Sequence, residues 1–129
     1  MTESDQKYQA TLDFLYSFVD YSLTRQLRYS PEKFNLDRMR RLMTSLKNPH
    51  QDYPIVHVAG TKGKGSTAAM IESILRQAGY HTGFYSSPHL QDFTERIQID
   101  GVPVSHELLV RLVDQIRPQI VAVPEITTF

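Results

Sequence analysis

Residues 55–78, IVHVAGTKGKGSTAAMIESILRQA, constrain the fold more than any other stretch, because a β-branched apolar run, a Gly/Lys loop and a helical pattern follow one another directly. Ile55, Val56 and Val58 read as a short strand, and Gly60, Gly63 and Gly65 allow a turn too tight for side chains. From Ser66 the pattern is helical. Ile71, Ile74, Leu75 and Ala78 stand at i, i+3, i+4 and i+7, which predicts one stripe buried against a sheet, and Gly79 supplies a left-handed stop. The first N–H groups of such a helix have no partners within it, and its dipole favours an anion there by roughly 0.3–1 kcal/mol per charge. The succession therefore predicts a phosphate cradle: the glycines admit phosphate oxygens to the backbone, Lys64 reaches the terminal phosphates, and Ser66 or Thr67 offers a hydroxyl to phosphate or Mg²⁺.

The generic phosphate-loop pattern G-x-x-x-x-G-K-[ST] is not met, since Val58 stands at the first glycine's place and Gly65 follows the lysine. On spacing alone, a Gly-rich strand-to-helix turn with two solvated lysines stays open as the alternative. The stretch GTKGKGS at residues 60–66 resembles the G-T-N-G-K-G-S loop of the folylpolyglutamate synthases and dihydrofolate synthases, within the Mur ligase superfamily, with Lys62 where Asn is usual. Tyr85-Ser86-Ser87-Pro88-His89-Leu90 followed by Thr94-Glu95-Arg96-Ile97 is similar to that family's S-S-P-H-L…E-R-I segment. Glu125-Ile126-Thr127-Thr128-Phe129 resembles the start of its E-I-T-x-F-E segment, without the final Glu. The motifs keep the family's order and spacing from about Phe34 to the last residue.

The resemblance implies an ATP-dependent acid–amino-acid ligase. A folate or pteroate carboxylate takes the γ-phosphoryl group of ATP, and the amine of L-glutamate displaces phosphate from the acyl phosphate. Carried over by motif, Thr61, Lys62, Gly63, Lys64, Gly65 and Ser66 hold the ATP phosphates, with Lys64 as the catalytic cation, and Ser87 is a Mg²⁺ ligand. Thr127, Thr128 and Phe129 fall on the pterin-substrate segment, and Lys33, Phe34 and Asn35 lie near the N-terminal substrate contact. The implied cofactors are ATP and Mg²⁺, and the implied partners are small molecules, with the complete enzyme a monomer. The family's other Mg²⁺ ligands, a Glu and a His, its carbamylated lysine and its C-terminal glutamate-ligase domain would lie beyond residue 129. Dihydropteroate, a folate monoglutamate or both stay open as substrates.

Composition agrees with this reading without identifying it. At 129 residues the chain is one domain by length and should bury roughly two thirds of its unfolded surface. The 14 basic and 14 acidic side chains cancel, which argues against a nucleic-acid surface or a polybasic membrane patch. The absence of cysteine excludes disulfides, thiolate metal sites and a cysteine nucleophile. The polar start MTESDQKYQ has no signal-type apolar core, and no run approaches a membrane span, so a reducing cytoplasm is expected.

Elsewhere, Leu12, Leu15, Tyr16, Val19 and Leu23 predict an amphipathic helix ending near Arg25. Asn35 can cap a second helix with apolar positions Leu36, Met39, Met43 and Leu46, closed by Asn48-Pro49. Residues 82–85 read as a second strand, which with residues 55–58 predicts a right-handed βαβ unit with parallel strands. Asp100-Gly101 between Ile97-Gln98-Ile99 and Val102-Pro103-Val104 predicts a hairpin. Ser105 caps a helix carrying Leu108, Leu109, Leu112, Val113 and Ile116, stopped by Pro118, and residues 120–123 are either a strand or a buried connection.

The expected fold class is α/β: a phosphate-loop-type parallel sheet with flanking helices, the truncated N-terminal portion of a Mur-ligase-like ATPase domain. Two helices are too few to cover both faces of such a sheet, which points to an N-terminal piece of a longer protein. A nucleotide-binding module without ligase activity and a Mur-type ligase with another acceptor are the competing readings. For single residues the bland readings are a turn at Ser86-Ser87, a hydrogen-bonded loop histidine at His89, a surface ion pair at Glu95-Arg96, and core packing for Phe84, Tyr85 and Phe93.

Overall fold

Four α-helices, two short 3₁₀ turns and three short strands make up residues 2–18 and 36–123, the part of the chain described by the computed structural model. The fold divides into two units, one of Met1–Ile55 with Val110–Phe129 and the other of Val56–Leu109.

In the first unit, α1 (Glu3–Tyr16) opens with a capping box: the Asp5 N–H donates to Thr2 Oγ1 and the Thr2 N–H donates back to the Asp5 carboxylate. It buries Tyr8, Thr11 and Leu15, and the Ser17 N–H closes it on the Asp13 carbonyl. The predicted continuation toward Arg25 falls mostly outside the described residues. The second helix, α2 (Asp37–Ser45), starts at Leu36 without a side-chain cap; the proposed cap Asn35 is also outside the described residues. Leu42 is buried on it, and of the predicted stripe Met43 and Leu46 are half-buried whereas Leu36 and Met39 are exposed. Its end is as expected: Lys47 and Asn48 turn left-handed before the 3₁₀ turn Pro49–Gln51.

The last helix runs His106–Ala122 and is denoted α4. The Ser105 hydroxyl accepts the Leu108 N–H, as a cap should. Pro118 lies inside this helix instead of ending it, so residues 120–122 are helical and neither strand nor connection. The helix survives because a proline removes one N–H and crowds one carbonyl while the turns on either side remain anchored. One such anchor is Arg117, whose guanidinium carbon lies 4.1 Å from the Phe14 ring centroid, joining α4 to α1.

In the second unit, α3 (Lys64–Gln77) ends in a Schellman motif, with the Gly79 N–H donating to the Arg76 carbonyl and the Tyr80 N–H to the Leu75 carbonyl. Strands β1 (Gly83–Tyr85), β2 (Ile97–Ile99) and β3 (Val102–Pro103) follow in a sheet of order β1-β2-β3. Both pairings are antiparallel: Phe84 opposes Gln98, and Ile99 opposes Val102 across the Asp100-Gly101 turn. The expected hairpin forms, but among the described residues the expected parallel βαβ pair does not, and residues 55–58 join no ladder. A strand of three residues offers each sheet face one or two side chains, and here only Phe84 turns inward while Tyr85 is exposed. So little apolar area leaves α3 joined to the sheet side through Glu72 and Thr82, and no further strand is paired among the described residues. Consistently, Ile55, Val56, Ile74 and Leu75 are exposed, and α3 has no fully buried residue. The core of this unit is instead Phe93, Val104 and Leu109, at the second 3₁₀ turn (Phe93–Arg96), the hairpin's end and the first turns of α4. Among the described residues, no helix is long and apolar enough to cross a membrane.

Candidate functional site

The loop before α3 is built by glycine conformation. Gly63 stands at φ +75° and ψ 0°, a left-handed N-cap position that a side chain would strain, and the first helical bond runs from the Thr67 N–H to the Gly63 carbonyl at 3.0 Å. No side chain caps this end, so the N–H groups of Lys64, Gly65 and Ser66 open the helix toward the loop. At Gly60 the chain folds back on itself: a Cβ there would lie 3.8 Å from the Lys62 carbonyl oxygen and 3.9 Å from Lys64 Cγ. Thr61, Lys62, Gly63, Lys64, Gly65 and Ser66 are all exposed, with two lysines beside an uncapped helix start. The arrangement offers donors and positive charge to an anion.

Ser87 lies in a different segment, two residues past β1, with an exposed side chain. No hydrogen bond or ion pair joins it to residues 60–66 among the described residues. Its loop is held from below. The Ser86 N–H donates to the Arg96 carbonyl at 3.0 Å. The Glu95 carboxylate accepts the N–H groups of Leu90, Gln91 and Asp92 at 2.8, 3.0 and 2.9 Å. The Leu90 and Asp92 amides are the main reason its carboxyl is held below the ordinary glutamate value. Arg96 Nε donates to His89 Nδ1 at 2.8 Å; because a guanidinium can only donate, the His89 proton resides on Nε2. Glu95-Arg96 is thus not a surface ion pair: each side chain serves the loop. The sequence signal for this was Asp92-Phe93-Thr94-Glu95, a D-x-x-E capping box in which Asp92 also accepts the Thr94 N–H and hydroxyl and pairs with His106 Nε2 at 3.0 Å.

The sheet side of α3 is joined by a second polar cluster. Glu72 accepts Arg76 Nε at 3.1 Å and the Thr82 hydroxyl at 2.7 Å. Asp100 accepts the Thr82 N–H at 2.8 Å and meets His81 Nδ1 at 3.1 Å, and these bonds, the Thr82 amide foremost, lower its carboxyl pKa. Among the described residues no three His, Asp or Glu side chains are grouped to hold a metal ion. The expected substrate residues Lys33, Phe34, Asn35, Thr127, Thr128 and Phe129 lie outside the described residues.

No family model matches the chain. It is 44% identical over 112 residues to the dihydrofolate synthase/folylpolyglutamate synthase of Bacillus subtilis, covering 84% of this chain and 26% of that protein. The folylpolyglutamate synthase of Mycobacterium tuberculosis, solved with ADP and AMPPCP, superimposes with a TM-score of 0.68 at 39% identity, over 69% of this chain and 20% of that one. A folylpolyglutamate synthase–AMPPCP–folate complex gives a TM-score of 0.75 at 33% identity, over 89% of this chain and 26% of that one. The chain thus spans about a quarter of the length of these relatives. Its fold is the α/β fold of the Mur-ligase-like proteins, of which it presents a part. Within that class the chain belongs to the folylpolyglutamate synthase/dihydrofolate synthase family.

Proposed function

We propose that this chain carries the phosphate-binding loop of an ATP-dependent ligase that adds L-glutamate to folate, to dihydropteroate, or to both. The observation that carries the reading is the uncapped start of α3 behind the left-handed Gly63, flanked by Lys62 and Lys64. Relatives named for folate glutamylation, and solved with ADP, AMPPCP or folate, support it. In the proposed reaction a substrate carboxylate oxygen attacks the γ-phosphorus and the bond to ADP breaks. The glutamate amine then attacks the acyl carbon, phosphate leaves, and the nitrogen loses a proton. Such steps depend on positioning and charge neutralisation. The amides of residues 63–66 orient the phosphates, and the Lys64 ammonium neutralises charge that develops on the β–γ bridge. Ser87 offers one hydroxyl to the Mg²⁺ that accompanies the nucleotide. Thr127, Thr128, Phe129, Lys33, Phe34 and Asn35 are the proposed folate contacts. The protein is proposed to act as a cytoplasmic monomer on small molecules alone.

The test is direct: the full-length protein is incubated with ATP, Mg²⁺, L-glutamate and a reduced folate, and products are read by mass spectrometry. Glutamylated folate with equimolar ADP is expected; absence of both refutes the assignment. Because the chain spans a quarter of its relatives, a second reading is that these residues by themselves bind nucleotide without turnover. ATP hydrolysis or ligation by the 129-residue chain would eliminate that reading.

A further inference from the structure

We propose that Glu95 is a positioning residue whose carboxylate clamps the loop of residues 86–92 and so fixes where the Ser87 hydroxyl is presented. The inference rests on the reading of Ser87 given above, but its geometric part stands alone. Apart from the His89 ring, whose centroid lies 5.8 Å from that of Phe93, the loop has little apolar hold. Leu90 is 93% exposed, and Ser87, Pro88 and Gln91 are exposed as well. Its conformation therefore depends on polar contacts, and three consecutive amide donors converge on the one carboxylate.

The support beneath that carboxylate is buried where the loop is not. Glu95 sits on the 3₁₀ turn Phe93–Arg96, whose Phe93 and Thr94 are buried and whose start is capped by Asp92. The Glu95 carbonyl accepts Gln98 Nε2 at 3.2 Å, tying the turn to β2. On the other side of the segment, the Ser86 amide is held by the Arg96 carbonyl, and the His89 ring by Arg96 Nε. Pinning at residue 86 and at residues 90–92 leaves Ser87 and Pro88 as the presented part. Only a carboxylate suits the position: all three partners are donors, so an amide at residue 95 would lose one acceptor and set its own NH₂ against an N–H.

The full-length protein and its Glu95→Gln variant are compared by amide hydrogen exchange of a peptide covering residues 86–92 and by steady-state kinetics. The expectation is exchange faster by about tenfold or more. It is joined by a kcat lower by about 10- to 100-fold, with the KM for glutamate unchanged, since misplacing a group by about 1 Å is enough for such a loss. Glu95→Asp, which keeps the charge but shortens the reach, should fall between the two in both readouts; it carries the test if the Gln variant does not fold. Unchanged exchange overturns the clamp. Faster exchange with an undiminished kcat overturns the positioning role. If the wild-type protein makes no glutamylated product, the proposed function fails, while the exchange result still decides the clamp.

Discussion

Gly101→Ala is the substitution whose cost the structure defines best. The β2–β3 hairpin turns on Asp100 at φ +51° and Gly101 at φ +78°, the two positive angles of a type I′ turn. An alanine in that backbone region costs about 1–2 kcal/mol in strain alone. A Cβ at residue 101 would also lie 2.9 Å from Arg76 Nε and 3.1 Å from its Cζ, so the guanidinium must move. Moving it releases the Glu72 pair at 3.1 Å, a contact that is 37% exposed on the arginine side and worth about 0.5 kcal/mol after screening. Glu72 keeps its bond from the Thr82 hydroxyl, so the cluster does not collapse. The total is about 1.5–2.5 kcal/mol, or a roughly 10- to 70-fold loss of hydrogen-exchange protection at the Asp100 and Val104 amides, which donate to Thr82 and Ile97. In an Arg76→Ala background the steric share vanishes and only the strain remains. A Gly101→Ala cost below about 0.5 kcal/mol would refute the turn geometry. A cost that is the same with and without Arg76 would refute the contact.

Other expectations concern charge, backbone and the loop hydroxyl. Asp100 has a carboxyl pKa below its ordinary 3.8, so its hold on the hairpin is complete above that value and is lost as pH falls through the lowered one. Protection of the Thr82 amide should persist at pH 5 and decline only in more acidic solution, and Asp100→Asn should abolish that dependence; loss already above pH 5 would contradict it. Pro118→Ala restores an N–H inside α4 at an exposed position and should raise stability by about 1–3 kcal/mol, seen as a higher melting temperature; a lower one would show that the proline is accommodated without cost. Ser87→Ala leaves an exposed position without packing, so the melt should not change while ligase turnover falls, and full turnover would remove Ser87 from the site.

Local devices were legible in the sequence because their physics is local. Gly79 as a helix stop, Ser105 as a cap, Asn48-Pro49 as a closure and Asp100-Gly101 as a hairpin turn all form as the residue types dictate. The turn at residues 60–63 was legible for the same reason, since glycine conformation depends on few neighbours, although the helix begins at Lys64 and not at the expected Ser66 and takes Gly65 into its first turn. Predictions that needed a partner surface failed. Residues 55–58 have strand composition but no ladder among the described residues, and Ile74 and Leu75 have helical spacing but no sheet broad enough to cover them. Pro118 was misread because a single lost N–H was weighted as a full stop, although the Arg117–Phe14 contact holds the turn before it. Glu95 was misread because its partners are backbone amides, which side-chain types do not announce; only the Asp92…Glu95 spacing hinted at it.

Whether residues 60–66 act as a phosphate cradle is decided by a calorimetric titration of ATP with Mg²⁺ into the full-length protein and its Lys64→Ala variant. Lys64 is exposed, so the variant should keep the wild-type melt while its affinity for ATP falls by about tenfold or more, the worth of a charge-assisted bond to phosphate. Equal affinity in the two folded proteins would show that the nucleotide binds elsewhere and that the loop is only a glycine-rich turn.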